Sequence, residues 1–117
     1  MEIVLYRRRT SDVTVTVYSP SSEVVVFTPT DVFRLKIGRS GEAPILDLDS
    51  DAPSANASTV QDANPSNVRI TADDLALLSP GTYDMEAAIY EGDDGRLRAA
   101  TPGVMHIVET MLGEGEP

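Results

Sequence analysis

The sequence predicts an all-β protein, an antiparallel β-sandwich or small barrel of about seven to eight short strands. Apolar and polar residues alternate with a period of two in several segments, which is typical of half-buried strands. Turn-forming residues separate these segments at intervals of about 8 to 12 residues. The 117 residues allow one domain with one hydrophobic core, and the absence of cysteine excludes a disulfide scaffold.

Strands of the N-terminal half are predicted from β-branched and apolar residues. Residues 13–18 alternate valine with threonine or tyrosine, so their two faces can separate into a buried and an exposed side. Residues 23–28 contain three consecutive valines and a phenylalanine, which predicts a strand buried on both faces. Further strands are predicted at 3–6, 32–37 and 45–49, the last with its leucines inward and its aspartates outward.

The C-terminal half continues this pattern. Asp94-Gly95 is typical of a tight hairpin, and Thr101-Pro102-Gly103 predicts a turn between the last two strands. The small, polar residues of 50–66 predict a long exposed connection, with a brief strand near Val60. The strands predicted in this half are 67–71, 83–90, 96–99 and 104–109.

A short helical turn is predicted at residues 71–78. Thr71 can cap it, the two aspartates that follow favour a helix N-terminus, and Pro80-Gly81 ends it. Tyr83 comes directly after this corner. In immunoglobulin-like (Ig-like) sandwiches, a tyrosine at this place turns its hydroxyl back onto upstream backbone, so the corner favours an Ig-like sandwich.

The same corner carries a resemblance to a known family. The segment 70–86 reads ITADDLALLSPGTYDME, and it is followed by DG at 94–95 and GVMHIV at 103–108. Together with DVFRLKI at 31–37 and LDLDS at 46–50, this pattern resembles the small Ig-like domains of tailed-bacteriophage virion proteins. The resemblance covers residues 12–109. The sequence departs from the pattern at Met105 and His106, where an aromatic residue is frequent, and at Ser79, where a second proline is frequent.

What the resemblance implies is a structural role in the virion and no enzymatic activity. A head decoration (cement) protein is the leading interpretation, because the domain stands alone; a tail or baseplate accessory protein is the alternative. The implied partners are the major capsid protein or a tail or baseplate protein, with self-association on the particle lattice. The implied location is the virion, after synthesis in the host cytoplasm. A carbohydrate or cell-surface binding module is a further alternative, which the 5% aromatic content argues against.

The charge is strongly acidic and unevenly distributed. The chain has 9 basic and 19 acidic residues, a net charge of −10. Residues 1–39 hold six basic and four acidic residues (net +2), and residues 40–117 hold three and fifteen (net −12). This balance disfavours a nucleic-acid partner. No apolar run approaches the about 18 residues of a membrane span, and the N-terminus lacks the order of a signal peptide, so no membrane partner is expected.

Residue patterns for catalysis or metal binding are weak, and neither a cofactor nor a metal is expected. His106 is the only histidine, so a Ser-His-Asp set would have to be built on it. Asp47, Asp49 and Asp51 resemble the start of a calcium loop, but Ala52 stands at its sixth position, where glycine is needed. Solvated acids are therefore the better interpretation, although a looser calcium site in the 50–66 loop stays open.

Arg7, Arg8 and Arg9 form the charged cluster that we predict to bind a partner. They could serve as an anchor that pairs an N-terminal strand across subunits or lies on an acidic surface. Alternatively, they are a solvated strand end that protects an exposed sheet edge. The predicted organisation is an N-terminal strand and anchor segment at 1–11, the Ig-like domain at 12–110 and an acidic tail at 111–117.

Overall fold

The computed structural model describes residues 1–92 and 95–109, which contain eight strands and one short helix. Residues 93–94, which include Asp94 of the predicted hairpin turn, and residues 110–117, which include the predicted acidic tail at 111–117, lie outside this part. In chain order the elements are β1 (Glu2–Tyr6), β2 (Ser11–Val15), β3 (Asp31–Gly38), β4 (Leu46–Asp49), β5 (Thr59–Val60), β6 (Ser66–Ile70), α1 (Ala72–Leu75), β7 (Gly81–Glu91) and β8 (Leu97–Val108).

The strands form two sheets, which confirms the predicted all-β sandwich. One sheet has the order β1-β8-β7-β3-β4, and the other has the order β2-β6-β5. This is the strand order of the Ig fold, with β1 added beside the last strand. All pairs are antiparallel except β1 with β8. No short turn joins these two strands, so a parallel arrangement is open to them.

The core lies between the two sheets and follows the predicted alternation. From the large sheet, Phe33, Leu35 and Ile37 of β3 are fully buried. From the small sheet, Val15 and Val68 face them across the sandwich. The two leucines of β4 that were predicted to point inward, Leu46 and Leu48, are buried. The full core also includes Leu5, Val17, Val60, Ile70, Leu75, Leu78, Tyr83, Met85, Ala87, Ile89, Met105 and Ile107.

The corner before β7 has the predicted geometry. Thr71 is the N-cap of α1, and its hydroxyl accepts from the Asp74 N–H at 3.4 Å. Leu75 and Leu78 are fully buried beneath the turn. The Tyr83 hydroxyl donates to the Ser79 carbonyl at 2.7 Å, which confirms the expected bond to upstream backbone. No helix in the described residues is long and apolar enough to cross a membrane.

The prediction of a doubly buried strand at 23–28 is wrong. This segment makes only one isolated bridge, and the Val26 side chain is 75% exposed. Its carbonyls are bound by side chains instead: Asn64 donates to Val25 at 2.7 Å and Arg98 donates to Val26 at 2.9 Å. Valine favours extended backbone, but a strand also needs a neighbouring backbone to pair with.

The predicted turn at Thr101-Pro102-Gly103 is also absent, because residues 97–108 form one continuous strand. The Val104 N–H points towards β1, where it bonds to the Met1 carbonyl at 2.9 Å. The Pro102 nitrogen points to the same side, since alternate residues direct their backbone groups alike. β1 pairs only from Val104 onwards, so Pro102 removes no bond from the sheet.

Candidate docking surface

β1 is an edge strand with one side open. The Met1 carbonyl and the Arg7 N–H bond to β8, each at 2.9 Å. Because alternate residues of a strand turn their backbone groups to the same side, those of Glu2, Val4 and Tyr6 point away from β8. An open edge of this kind is a template on which another strand can pair.

The outward face beside this edge carries three exposed apolar side chains. Val4 is 56% exposed and Tyr6 is 47% exposed, while Leu5 between them is buried in the core. On β8, Val108 lies opposite Tyr6 and is also exposed. We call Val4, Tyr6 and Val108 the β1 patch. It combines exposed apolar side chains with the open backbone, so both parts of a strand-pairing site occur together.

His106 lies on the same outward face, opposite Val4, and joins β1, β8 and β7. Its Nε2 lies 2.7 Å from a Glu2 carboxylate oxygen on β1, and its Nδ1 lies 3.1 Å from the Thr82 hydroxyl on β7. The imidazole is about one-third exposed, as a half-exposed strand residue would be. A Ser-His-Asp set built on His106 would need a serine hydroxyl beside the imidazole, and the hydroxyl beside it is that of Thr82.

The three arginines occupy the turn that follows β1. The Arg9 N–H bonds to the Tyr6 carbonyl at 3.3 Å and closes a four-residue turn. Arg8, at the third position, has a φ of +65°. Glycine or asparagine is favoured at that position, because a Cβ is crowded in the left-handed region. We call residues 7–9 the arginine turn. At position 8 it has an arginine where glycine or asparagine would make the turn more stable.

The three side chains have different surroundings. Arg7 donates to the Ala76 carbonyl of the α1 corner at 3.2 Å and lies 3.7 Å from the Glu109 carboxylate, so it helps to hold the fold. Arg8 lies 4.0 Å from the same carboxylate, and a third of its side chain is exposed. The Arg9 guanidinium lies 5.8 Å from the centre of the Tyr6 ring. Arg8 is the more exposed of the two arginines beside Glu109, so its side chain can also contact a partner.

A buried carboxylate holds the 50–66 loop against the α1 corner. Asp74 accepts from the Ser54 hydroxyl at 2.6 Å, from the Asn56 amide at 3.0 Å and from the Ser58 hydroxyl. Burial alone would raise the pKa of Asp74, but these hydrogen bonds outweigh it and lower the pKa below the ordinary 3.8. The neighbouring Ala72 N–H bonds to the Thr10 hydroxyl at 3.0 Å, which connects α1 to the arginine turn.

The aspartates considered for calcium have protein partners. Asp47 accepts both hydrogen bonds of a bidentate contact from Arg34, at 2.8 and 2.6 Å. This contact is the main reason that the pKa of Asp47 is lowered. One oxygen of Asp49 accepts from the N–H groups of Asp51 and Ala52 in a local turn. Within residues 1–92 and 95–109, no three or more His, Asp or Glu side chains are grouped as metal ligands.

No protein-family model and no curated protein sequence matches the chain. The features of this chain that point to a function are the β1 patch, the arginine turn and the residue pattern around Tyr83.

Proposed function

We propose that this protein is a non-enzymatic structural component of a tailed-phage virion, specifically a head decoration (cement) protein. The resemblance that suggests this role is carried by segment 70–86, and that segment forms a tyrosine corner in a sandwich with the Ig strand order. The observation that carries the proposal is the open edge of β1, because it offers pairing capacity directly beside three basic side chains.

The docking mechanism combines a strand edge with weak charge contacts. Exposed ion pairs contribute only about 0.2–1 kcal/mol each, so Arg8 alone cannot hold the protein on a particle. On a capsid lattice, however, neighbouring copies linked to one another make each further contact effectively intramolecular. Affinity then comes from repetition, which suits a protein that covers a regular surface.

The charge distribution fits one-sided attachment. Residues 1–39 carry a net charge of +2 and include the arginine turn, while the remaining residues carry −12. The basic residues of the arginine turn favour an acidic capsid surface, and the net negative charge of the rest of the chain keeps decorated particles apart. The same surface would serve a tail or baseplate accessory protein, so separated heads and tails distinguish these two roles.

The experiment is co-sedimentation of the purified protein with separated heads and with separated tails. Deletion of residues 1–9 is unsuitable as a probe, because it removes the buried Leu5 and a strand that pairs with β8. Arg8→Glu is used instead, with Lys36→Gln on the outer face of β3 as a control for lost positive charge. Wild type and K36Q should saturate heads, and R8E should bind at least about fivefold more weakly.

Arg8→Asn separates binding from folding. Asparagine suits the left-handed backbone at this position. In urea unfolding, R8N should therefore have a free energy of unfolding equal to that of wild type or higher by up to about 1 kcal/mol. It should still bind heads less well, because it lacks the charge. Saturation of tails in place of heads would support the accessory role. If wild type binds neither particle, or R8E binds like K36Q, the proposal fails.

A further inference from the structure

We propose that β1 pairs with β1 of a second copy of this chain across a two-fold axis. The two strands run antiparallel with Val4 opposite Val4, and the two five-stranded sheets join into one continuous sheet. This inference deepens the self-association proposed above and takes its biological setting from it. Its physical basis, however, is the geometry of β1 alone.

The open backbone groups determine the register. A shift that sets Val4 opposite Leu5 is excluded, because it would place an outward residue against a core-facing one. Centring on Val4 uses every outward-directed residue of β1: Val4 faces Val4, and Glu2 faces Tyr6, whose N–H points outward while its carbonyl also accepts from the Arg9 N–H at 3.3 Å. Centring on Leu5 would leave Glu2 without a backbone partner from β1.

The side chains match in this register. On the outward face, the exposed Val4 residues contact each other at the axis, and each Tyr6 lies beside a Glu2. On the inner face, the partly buried Ile3 of each copy lies opposite the buried Leu5 of the other. Pairs of apolar side chains directly across two strands are the contacts that stabilise a sheet.

The charges favour the antiparallel arrangement. β1 begins with the acidic Glu2 and is followed by the arginine turn. In the antiparallel pair each arginine turn follows the end of β1 that lies beside the Glu2 of the other copy, so opposite charges are brought to the same end of the pair. A parallel pair would set the two arginine turns side by side, and like charges would repel.

Other open edges are less suitable for self-pairing. β4 presents Asp47 and Asp49, so two copies would gather four carboxylates. β5 has two residues, and β2 presents the polar Asp12 and Thr14. Charged and very short edges are the usual means of preventing strand addition, and β1 carries one charged residue, Glu2, at its first position, with apolar Val4 at its centre.

Charge-swapped variants at Val4 test the register. Because Val4 faces itself, Val4→Lys sets two lysines together and Val4→Glu sets two glutamates together. Wild type should form dimers in sedimentation velocity, and each variant alone should dimerise at least about tenfold more weakly. An equimolar mixture of V4K and V4E should form a heterodimer, because lysine then faces glutamate. Val26→Lys, at another exposed valine, should dimerise like wild type.

A cysteine at the axis gives a second measurement that does not depend on tolerance of charge. The chain contains no cysteine, so Val4→Cys introduces the only thiol. Hydrogen-bonded antiparallel pairs have Cα atoms about 5.5 Å apart, which is within disulfide range. V4C should cross-link to a covalent dimer under mild oxidation, at least about tenfold faster than Val26→Cys at the same concentration.

Three results would overturn the two-fold pairing: a monomeric wild type at about 1 mM, dimers of V4K as strong as those of wild type, or no heterodimer from the mixture. Circular dichroism of V4K and V4E verifies that each remains folded. The outcome is separate from that for particle binding. A dimer that binds neither heads nor tails refutes only the virion role, and a monomer that saturates heads refutes only the pairing.

Discussion

Asp74→Asn is the substitution that most directly tests how the 50–66 loop and the α1 corner are held together. In wild type, donors from three residues converge on the two oxygens of the Asp74 carboxylate, which is 3% exposed. Asparagine has nearly the same shape, but it offers one oxygen and adds an amide group that is itself a donor. At least one existing donor must therefore lose its acceptor.

The magnitude follows from which donors can turn to water. Ser58 is buried, so its hydroxyl loses a bond to a charged acceptor, worth about 1.5–3 kcal/mol, without replacement by solvent. Ser54 and Asn56 are only half-buried and can recover part of their loss. We expect D74N to lower the free energy of unfolding by about 2–4 kcal/mol at pH 7.

The pH dependence has a definite sign. The folded protein holds the pKa of Asp74 below its ordinary value, so the unfolded chain takes up this proton first as the pH falls. The stability that Asp74 contributes is complete above the unfolded pKa near 4 and is lost as the pH falls through the lowered folded value. The difference between wild type and D74N should therefore shrink below about pH 4.

Urea unfolding at pH 7 and at several values below pH 4 measures both effects. Asp73→Asn is the matched control, because Asp73 is the exposed neighbour in the same helical turn. It should cost at most about 1 kcal/mol, from loss of its favourable position at the helix N-terminus. A loss under 1 kcal/mol in D74N, or a difference from wild type that stays constant with pH, would refute the reasoning.

Two further substitutions probe the corner and β1. Tyr83→Phe removes the hydroxyl that bonds to the Ser79 carbonyl. Because Ser79 is exposed and water can replace this bond, urea unfolding should show a loss of about 0.5–1.5 kcal/mol in the free energy of unfolding. No loss would mean that the corner bond adds no stability. Gly103→Ala sets a Cβ 2.9 Å from the Met1 carbonyl oxygen, so it should cost about 1–3 kcal/mol and speed amide exchange in β1 more than in β3. Equal exchange rates in wild type and G103A would contradict this contact.

The parts of the fold that were predictable from the sequence depend on local patterns. The alternation in β3 and β7 identifies their inward faces, and the order of cap, Pro-Gly and Tyr83 identifies the corner within 13 residues. The 23–28 segment shows the limit of this approach. Its valines indicate extended backbone, but Asn64 and Arg98, which bind its carbonyls, are some 39 and 72 residues away.

The candidate surface was predictable to a similar extent. Arg7, Arg8 and Arg9 are visible as a cluster, yet the contact of Arg7 with Ala76 spans 69 residues and has no local signal. Asp74 has the sequence context of an ordinary helix-start acid, and its three donors lie 16 to 20 residues upstream in a loop expected to be exposed. Serines and an asparagine spaced by two at 54, 56 and 58 are the only hint that this loop carries donors to a common acceptor.

The alternation within β1 allows folding and docking to be separated by adjacent residues. Leu5 points into the core and Val4 points outward, although they share one strand and one set of neighbours. Leu5→Ala should cost about 2–5 kcal/mol of folding free energy by leaving a cavity, while the outward Val4 variants leave the core intact. If β1 were only a rigid support for dimerisation, substitutions at Leu5 and at Val4 would weaken the dimer in proportion to their loss of folding stability. If the open edge itself pairs with a second copy, the Val4 variants dimerise at least about tenfold more weakly in a protein as stable as wild type.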